Sequence, residues 1–210
     1  MAANDTDRRF LLRKLGILAT VFAVLSFASL ASAQQGDAFF GLGTLLSSGT
    51  CNNTTFLCPQ KGGLYPNVGA AVIFHQRLGA QFDVAWRGGQ GSYGGPGGQP
   101  YRPILFAFNA IYQPHINKKI GADLLGGIGW QSTRYYGYQN TVSCIYFYAC
   151  YTSSNHFLID VGAGLRYYVY GHAFIRPEFR YYYINNNTAD FSSNNVFRVG
   201  ATIGYTIGPE

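Results

Sequence analysis

The sequence is short of charge. Asp, Glu, Lys and Arg make up 11% of its 210 residues, less than half the share of about 25% usual in soluble domains. Basic residues form no run. After position 33, eleven of them stand against seven acidic ones, a net charge of +4. So mild and scattered a balance excludes a nucleic-acid-binding surface. Beyond position 33 the chain also lacks any apolar stretch of about 18 residues, so no transmembrane helix is expected there. Helical periodicity is missing as well. What the chain has instead is glycine, tyrosine and phenylalanine, at 27, 17 and 16 residues. Few charges with many aromatics and glycines suit β structure in contact with lipid.

The first 33 residues read as an export signal. Arg8, Arg9, Arg13 and Lys14 form a basic start, Leu15 to Leu30 an apolar run, and Ala31, Ser32 and Ala33 the small residues a signal peptidase needs. The apolar run is shorter than the roughly 20 residues of a spanning helix. Cleavage is therefore expected between Ala33 and Gln34, leaving one domain over 34–210. Export puts the four cysteines in an oxidising compartment, where disulfides form. Four cysteines allow three pairings, and the local ones, Cys51 with Cys58 and Cys144 with Cys150, are the simplest. No histidine or further cysteine lies at ligand spacing beside either pair, so no metal is expected.

Period-two alternation, the mark of a strand, recurs along the rest of the chain. In Val196–Ile207 the odd positions Phe197, Val199, Ala201, Ile203, Tyr205 and Ile207 are apolar. Arg198, Gly200, Thr202, Gly204 and Thr206 share the other face. The same contrast appears over 37–46, 66–76, 80–89, 102–114, 120–132, 156–170 and 172–184. The connections alternate in length. Those at 47–65, 90–101, 133–154 and 186–194 are long, and those near Arg77, Pro114 and Gly171 are short. These features predict an all-β fold, an eight-stranded antiparallel up-and-down transmembrane β-barrel with its long loops on one side. Apolar faces would meet lipid, and closure would leave no backbone group unpaired in hydrocarbon. A soluble barrel would bury the apolar face and expose the charged one.

At this point the chain resembles the outer-membrane β-barrel family, the small OmpA- and OmpX-type barrels, over residues 37–207. The clearest segments are Phe174-Ile175-Arg176-Pro177-Glu178-Phe179-Arg180-Tyr181-Tyr182-Tyr183 and the last strand, Phe197 to Tyr205. The resemblance implies an outer-membrane location and contact with the barrel-assembly machinery during biogenesis. In the family an aromatic ends the last strand. Tyr205 fits the penultimate aromatic position, and Ile207 replaces the terminal one. No peptidoglycan-binding domain is expected after Glu210. The family spans adhesion, envelope integrity and minor pore activity, so fold alone names no single role.

The expected lumen face carries Asp83, Asp123, Asp160 and Glu178 with Arg87, Arg166, Arg176, Arg180 and Arg198. An ion path is one reading. A salt-bridged plug is favoured, because eight strands leave an interior just wide enough for side chains to fill, and buried charges must be paired. Glu178, Arg176 and Arg180 share one face of one strand and mark the expected centre. Of the four histidines, only His156 falls near the outer rim, with Ser153 and Ser154 beside it. That is thin support for a nucleophile and base, so no catalytic residue and no cofactor is expected. In the third long loop, Tyr146, Phe147, Tyr148 and Tyr151 cluster around the second cysteine pair and offer a contact surface. The sequence thus predicts a non-enzymatic integral outer-membrane barrel with a plugged lumen and disulfide-stapled loops, acting in envelope structure or surface contact. Its partners would be membrane lipid and an extracellular molecule met through the loops. A narrow passive pore is the second reading and a lipid-modifying enzyme the third.

Overall fold

Alternating apolar and small or polar residues turn into strand pairing along the whole of the described chain. The computed structural model describes residues 35–51, 57–60, 62–75, 77–92, 98–114, 116–117, 119–136 and 151–208. Eight strands are long: β1 (Gln35–Ser47), β2 (Tyr65–His75), β3 (Leu78–Trp86), β5 (Pro100–Tyr112), β6 (Ile120–Tyr136), β7 (Tyr151–Tyr170), β8 (Ala173–Ile184) and β9 (Asn195–Ile207). The two-residue β4 (Gly91–Ser92) only extends the ladder beside the start of β5. A single 3-10 turn, Asn187–Ala189, lies between β8 and β9.

Every pairing is antiparallel, and each long strand pairs with its neighbours in the chain. β1 pairs with β9, with Gly36 opposite Ile207 and Ser47 opposite Val196, and this closes the ring. Short turns gather at one rim. There Gly171 takes a φ of 49° between β7 and β8, a left-handed conformation open to a residue without Cβ. Register shifts at Ile73/His75 and Tyr168/Tyr170 fall at the same rim, where bulges commonly end pairing.

The barrel is inverted relative to a soluble one. Arg176, Arg180 and Arg198 are 0% exposed, while Leu46 is 55% and Ile203 60% exposed. Burying guanidinium groups while offering leucine and isoleucine to the surroundings is stable only where those surroundings are apolar. The lumen itself is layered. Toward the long loops lies an apolar layer of Leu45, Tyr65, Leu105, Leu158, Tyr182, Ile184 and Val196. Below it run the charged residues. Near the short-turn rim the trio Ile73, Ile111 and Leu125 is buried together.

Three strand ends differ from the sequence expectation by three residues or more. β6 and β7 run on to Tyr136 and start at Tyr151, paired through Arg134 opposite Ser153 and Tyr136 opposite Tyr151. Serines, threonine and asparagine above the apolar belt carry no apolar alternation, so the pattern fades where pairing continues. β3 instead stops at Trp86.

Candidate functional site

The charged lumen forms one connected chain of ion pairs. Arg166 bridges Asp37 and Asp123 at 2.7 and 3.0 Å. Arg176 joins Asp123 to Glu178 at 2.8 and 3.2 Å. Arg198 links Glu178 at 3.0 Å to Asp83 at 3.8 Å. Arg180 joins Asp83 to Asp160 at 2.8 and 2.7 Å. Acid and base alternate from Asp37 to Asp160, with Glu178 at the midpoint and a third arginine, Arg180, 4.0 Å from it. Each arginine thus answers at least two carboxylates in a buried site, the condition under which buried charge is tolerated.

The strands place these groups by parity. Arg176, Glu178 and Arg180 occupy alternate positions of β8 and point inward. β7 makes room for them with glycine. A Cβ at Gly162 would lie 2.9 Å from Arg180 Cγ, and one at Gly164 would lie 3.0 Å from Arg176 Cγ. Aromatic rings line the lower end. The Arg166 guanidinium lies 4.1 Å from the Phe174 ring centre, and that of Arg176 lies 4.5 Å from Phe39.

Two members differ from the sequence expectation. Asp37 belongs to the chain. Besides Arg166, it accepts hydrogen bonds from Thr206 Oγ1 at 2.8 Å, Gln35 Nε2 at 3.0 Å and Gln113 Nε2 at 3.3 Å. Its shared parity with Gly41 and Gly43 was the available signal. Arg87 stands apart from the ion-pair chain, because β3 has ended and its side chain turns to the rim. Its Nε and Nη2 donate to the Gly62 carbonyl at 3.2 and 2.8 Å, and its Nη1 donates to that of Gly89 at 3.3 Å. The lumen tally becomes five carboxylates to four guanidiniums.

Above the apolar layer, the β8–β9 connection folds into the mouth. Asn186 turns the chain with a φ of 58°. Gln131 Nε2 donates to Asn187 Oδ1 at 3.0 Å, and Asn187 Nδ2 donates to the Ser193 carbonyl at 2.6 Å. Phe191 is buried with its ring 5.3 Å from that of Tyr101. The first long loop is tied to this segment. Ser192 N donates to the Cys58 carbonyl at 3.1 Å, beside the Cys51–Cys58 disulfide. Cys144, Cys150, Tyr146, Phe147 and Tyr148 lie outside the described residues, as do Ala33 and Gln34. Tyr151 opens β7 and is exposed.

His156 meets Ser154 and Asp190, the latter distant in sequence. Ser154 Oγ lies 2.9 Å and Asp190 Oδ2 lies 2.8 Å from the same ring nitrogen, Nε2. A nucleophile relay needs the two partners on opposite ring nitrogens, one orienting the base and the other giving it a proton. When Nε2 carries the proton donated to Asp190, it has no lone pair for the serine. In that tautomer His156 offers Ser154 no acceptor.

No protein-family profile matches the chain, and no curated protein matches its sequence. Solved structures do match in shape. Neisserial surface protein A aligns at a TM-score of 0.57 and 14% identity, over 83% of this chain and 97% of that one. Ail, the attachment invasion locus protein of Yersinia pestis, gives 0.53 and 13% over 83% and 99%. The N-terminal barrel of Pseudomonas aeruginosa OprF gives 0.50 and 11% over 83% and 98%. The chain has the fold of the eight-stranded outer-membrane barrels.

Proposed function

We propose that this protein is a closed, non-enzymatic outer-membrane barrel. Its lumen serves as a rigid plug, and its long loops carry its contacts with the outside. One observation carries the reading. The buried apolar residues from Leu45 to Val196 lie between the ion-pair chain and the long-loop mouth, where Asn187 and Phe191 are also buried, and this supports a closed lumen. Water and ions crossing the barrel would have to break paired, desolvated charges. The export signal would be removed between Ala33 and Gln34. Cys144 and Cys150 would staple the third long loop as Cys51 and Cys58 staple the first, presenting Tyr146, Phe147, Tyr148 and Tyr151. Tyr205 and Ile207 would meet the assembly machinery.

A surface role draws support from the kind of protein that shares the fold. Ail has been captured with a heparin analogue, sucrose octasulfate. For this chain the loops are the corresponding surface, acting in adhesion or envelope structure. Planar-bilayer recording tests the plug. The refolded barrel is expected to stay silent, and reproducible discrete openings would replace this reading with a narrow passive pore.

A further inference from the structure

The outer wall of β5, β6 and β7 holds an arrangement that the plugged lumen does not use. Arg102 and Arg134 are direct cross-strand partners. Both share the parity of the outward residues Phe106, Phe108 and Trp130, so both side chains lie on the outside of the barrel near the long-loop rim. Like charges directly opposite on one sheet face destabilise the pairing. Local contacts hold the two side chains without neutralising them. Arg102 Nε donates to the Arg87 carbonyl at 2.7 Å, and the Arg134 guanidinium lies 4.9 Å from the Tyr151 ring centre. Among the described residues, no acidic side chain answers them. Asp37, Asp83, Asp123, Asp160 and Glu178 are paired inside the lumen, and Asp190 is paired with His156. Glu210, the one remaining, lies outside the described residues.

Below the arginines the wall changes character in steps. Ser153 is the cross-strand partner of Arg134, and Ser132 is the partner of Asn155. Next comes an apolar groove lined by Phe108, Ile128, Trp130 and Phe157, with Asn155 at its edge. Trp130 is four positions from Arg134, a rise of roughly 13 Å along a strand. Cations, then hydroxyl and amide groups, then an apolar groove follow the head-to-tail order of a phosphorylated membrane lipid: phosphate, carbonyl-bearing backbone, acyl chain. We propose that this face is a binding site for one anionic lipid of the surrounding leaflet. Its phosphate would lie between Arg102 and Arg134, and an acyl chain would lie in the groove against Trp130. Arginine suits the task because its planar fork matches phosphate oxygens in pairs. The proposal rests on the membrane-barrel reading above.

Trp130 supplies the probe. A Trp86→Phe variant leaves it the sole tryptophan of the exported domain. The full domain is refolded into phosphatidylcholine vesicles doped with brominated phosphatidic acid or with brominated phosphatidylcholine, and quenching of Trp130 is titrated. Brominated phosphatidic acid is expected to associate roughly thirtyfold more strongly, the order set by two arginines near a membrane surface. In Arg102→Gln/Arg134→Gln the ratio is expected to fall to about one, and in Arg102→Lys/Arg134→Lys to fall only partly. Altered mobility between unboiled and boiled samples confirms that each variant has folded. Equal quenching by both lipids, or a preference that survives the double glutamine variant, overturns the site while leaving the barrel intact. Quenching by neither lipid overturns the membrane reading and the site with it.

Discussion

Glu178 is the residue on which the lumen turns, because it answers Arg176 and Arg198 and stands near Arg180. Replacing it with glutamine keeps the volume and removes the charge, leaving two halves of the ion-pair chain joined only through side chains short of a carboxylate. Breaking a buried pair from one side costs about 3–5 kcal/mol. Asp37, at the end of the chain, has a single arginine and three neutral donors. Urea titration of the vesicle-inserted barrel should therefore rank Glu178→Gln well below Asp37→Asn in stability. Equal losses would mean that the chain of pairs does not act as a unit. Parity along β8 made Glu178 readable from the sequence. Asp37 was harder to read because only Gln35 and Gly36 precede it in β1, with no apolar neighbour before it to set the phase. Arg87 misled because its parity continues that of β3 past the point where the strand stops. Asp190 beside His156 had no signal at all, since 34 residues separate them.

At the level of elements, β7 and β8 fit as arginine against glycine. Gly162 is the partner of Arg180 and Gly164 that of Glu178, so the bulk on one strand is matched by its lack on the next. Ala163, between them, faces outward and is exposed. Gly164→Val would push into the Arg176 side chain, and overpacking of this kind costs about 1–3 kcal/mol. The same residue at Ala163 enters lipid and should be close to neutral. Electrophoresis of unboiled samples after refolding should show a smaller folded fraction for Gly164→Val than for Ala163→Val, and the reverse order would refute the matched-bulk account. The strands themselves were legible because lipid demands an unbroken apolar face. Where β6 and β7 rise above the belt, water replaces lipid and either kind of residue serves. There the sequence loses its period although the ladder continues from Ser132 to Tyr136.

On the scale of the whole molecule, the proposed plug consists of two closures in series. One is the apolar layer that includes Leu105 and Leu158, and the other is the ion-pair chain that includes Asp160 and Arg180. Current through obstacles in series is set by the tightest, so opening one leaves the other in control. A Leu105→Ser/Leu158→Ser variant lets water into the upper lumen but still meets filled, paired charge below. An Asp160→Ala/Arg180→Ala variant removes a balanced pair, which buried pairs tolerate far better than the loss of one partner, yet it stays sealed by the apolar layer. Only the four substitutions together join the two spaces into a continuous wet path through an interior that eight strands otherwise fill. In planar bilayers both double variants are expected to remain silent and the quadruple variant to give discrete steps. Those steps should be larger for cations, because the lumen then holds four carboxylates against three guanidiniums. Conductance in either double variant would show that a single layer closes the barrel, and silence in the quadruple variant would place the seal in the folded β8–β9 connection at the mouth.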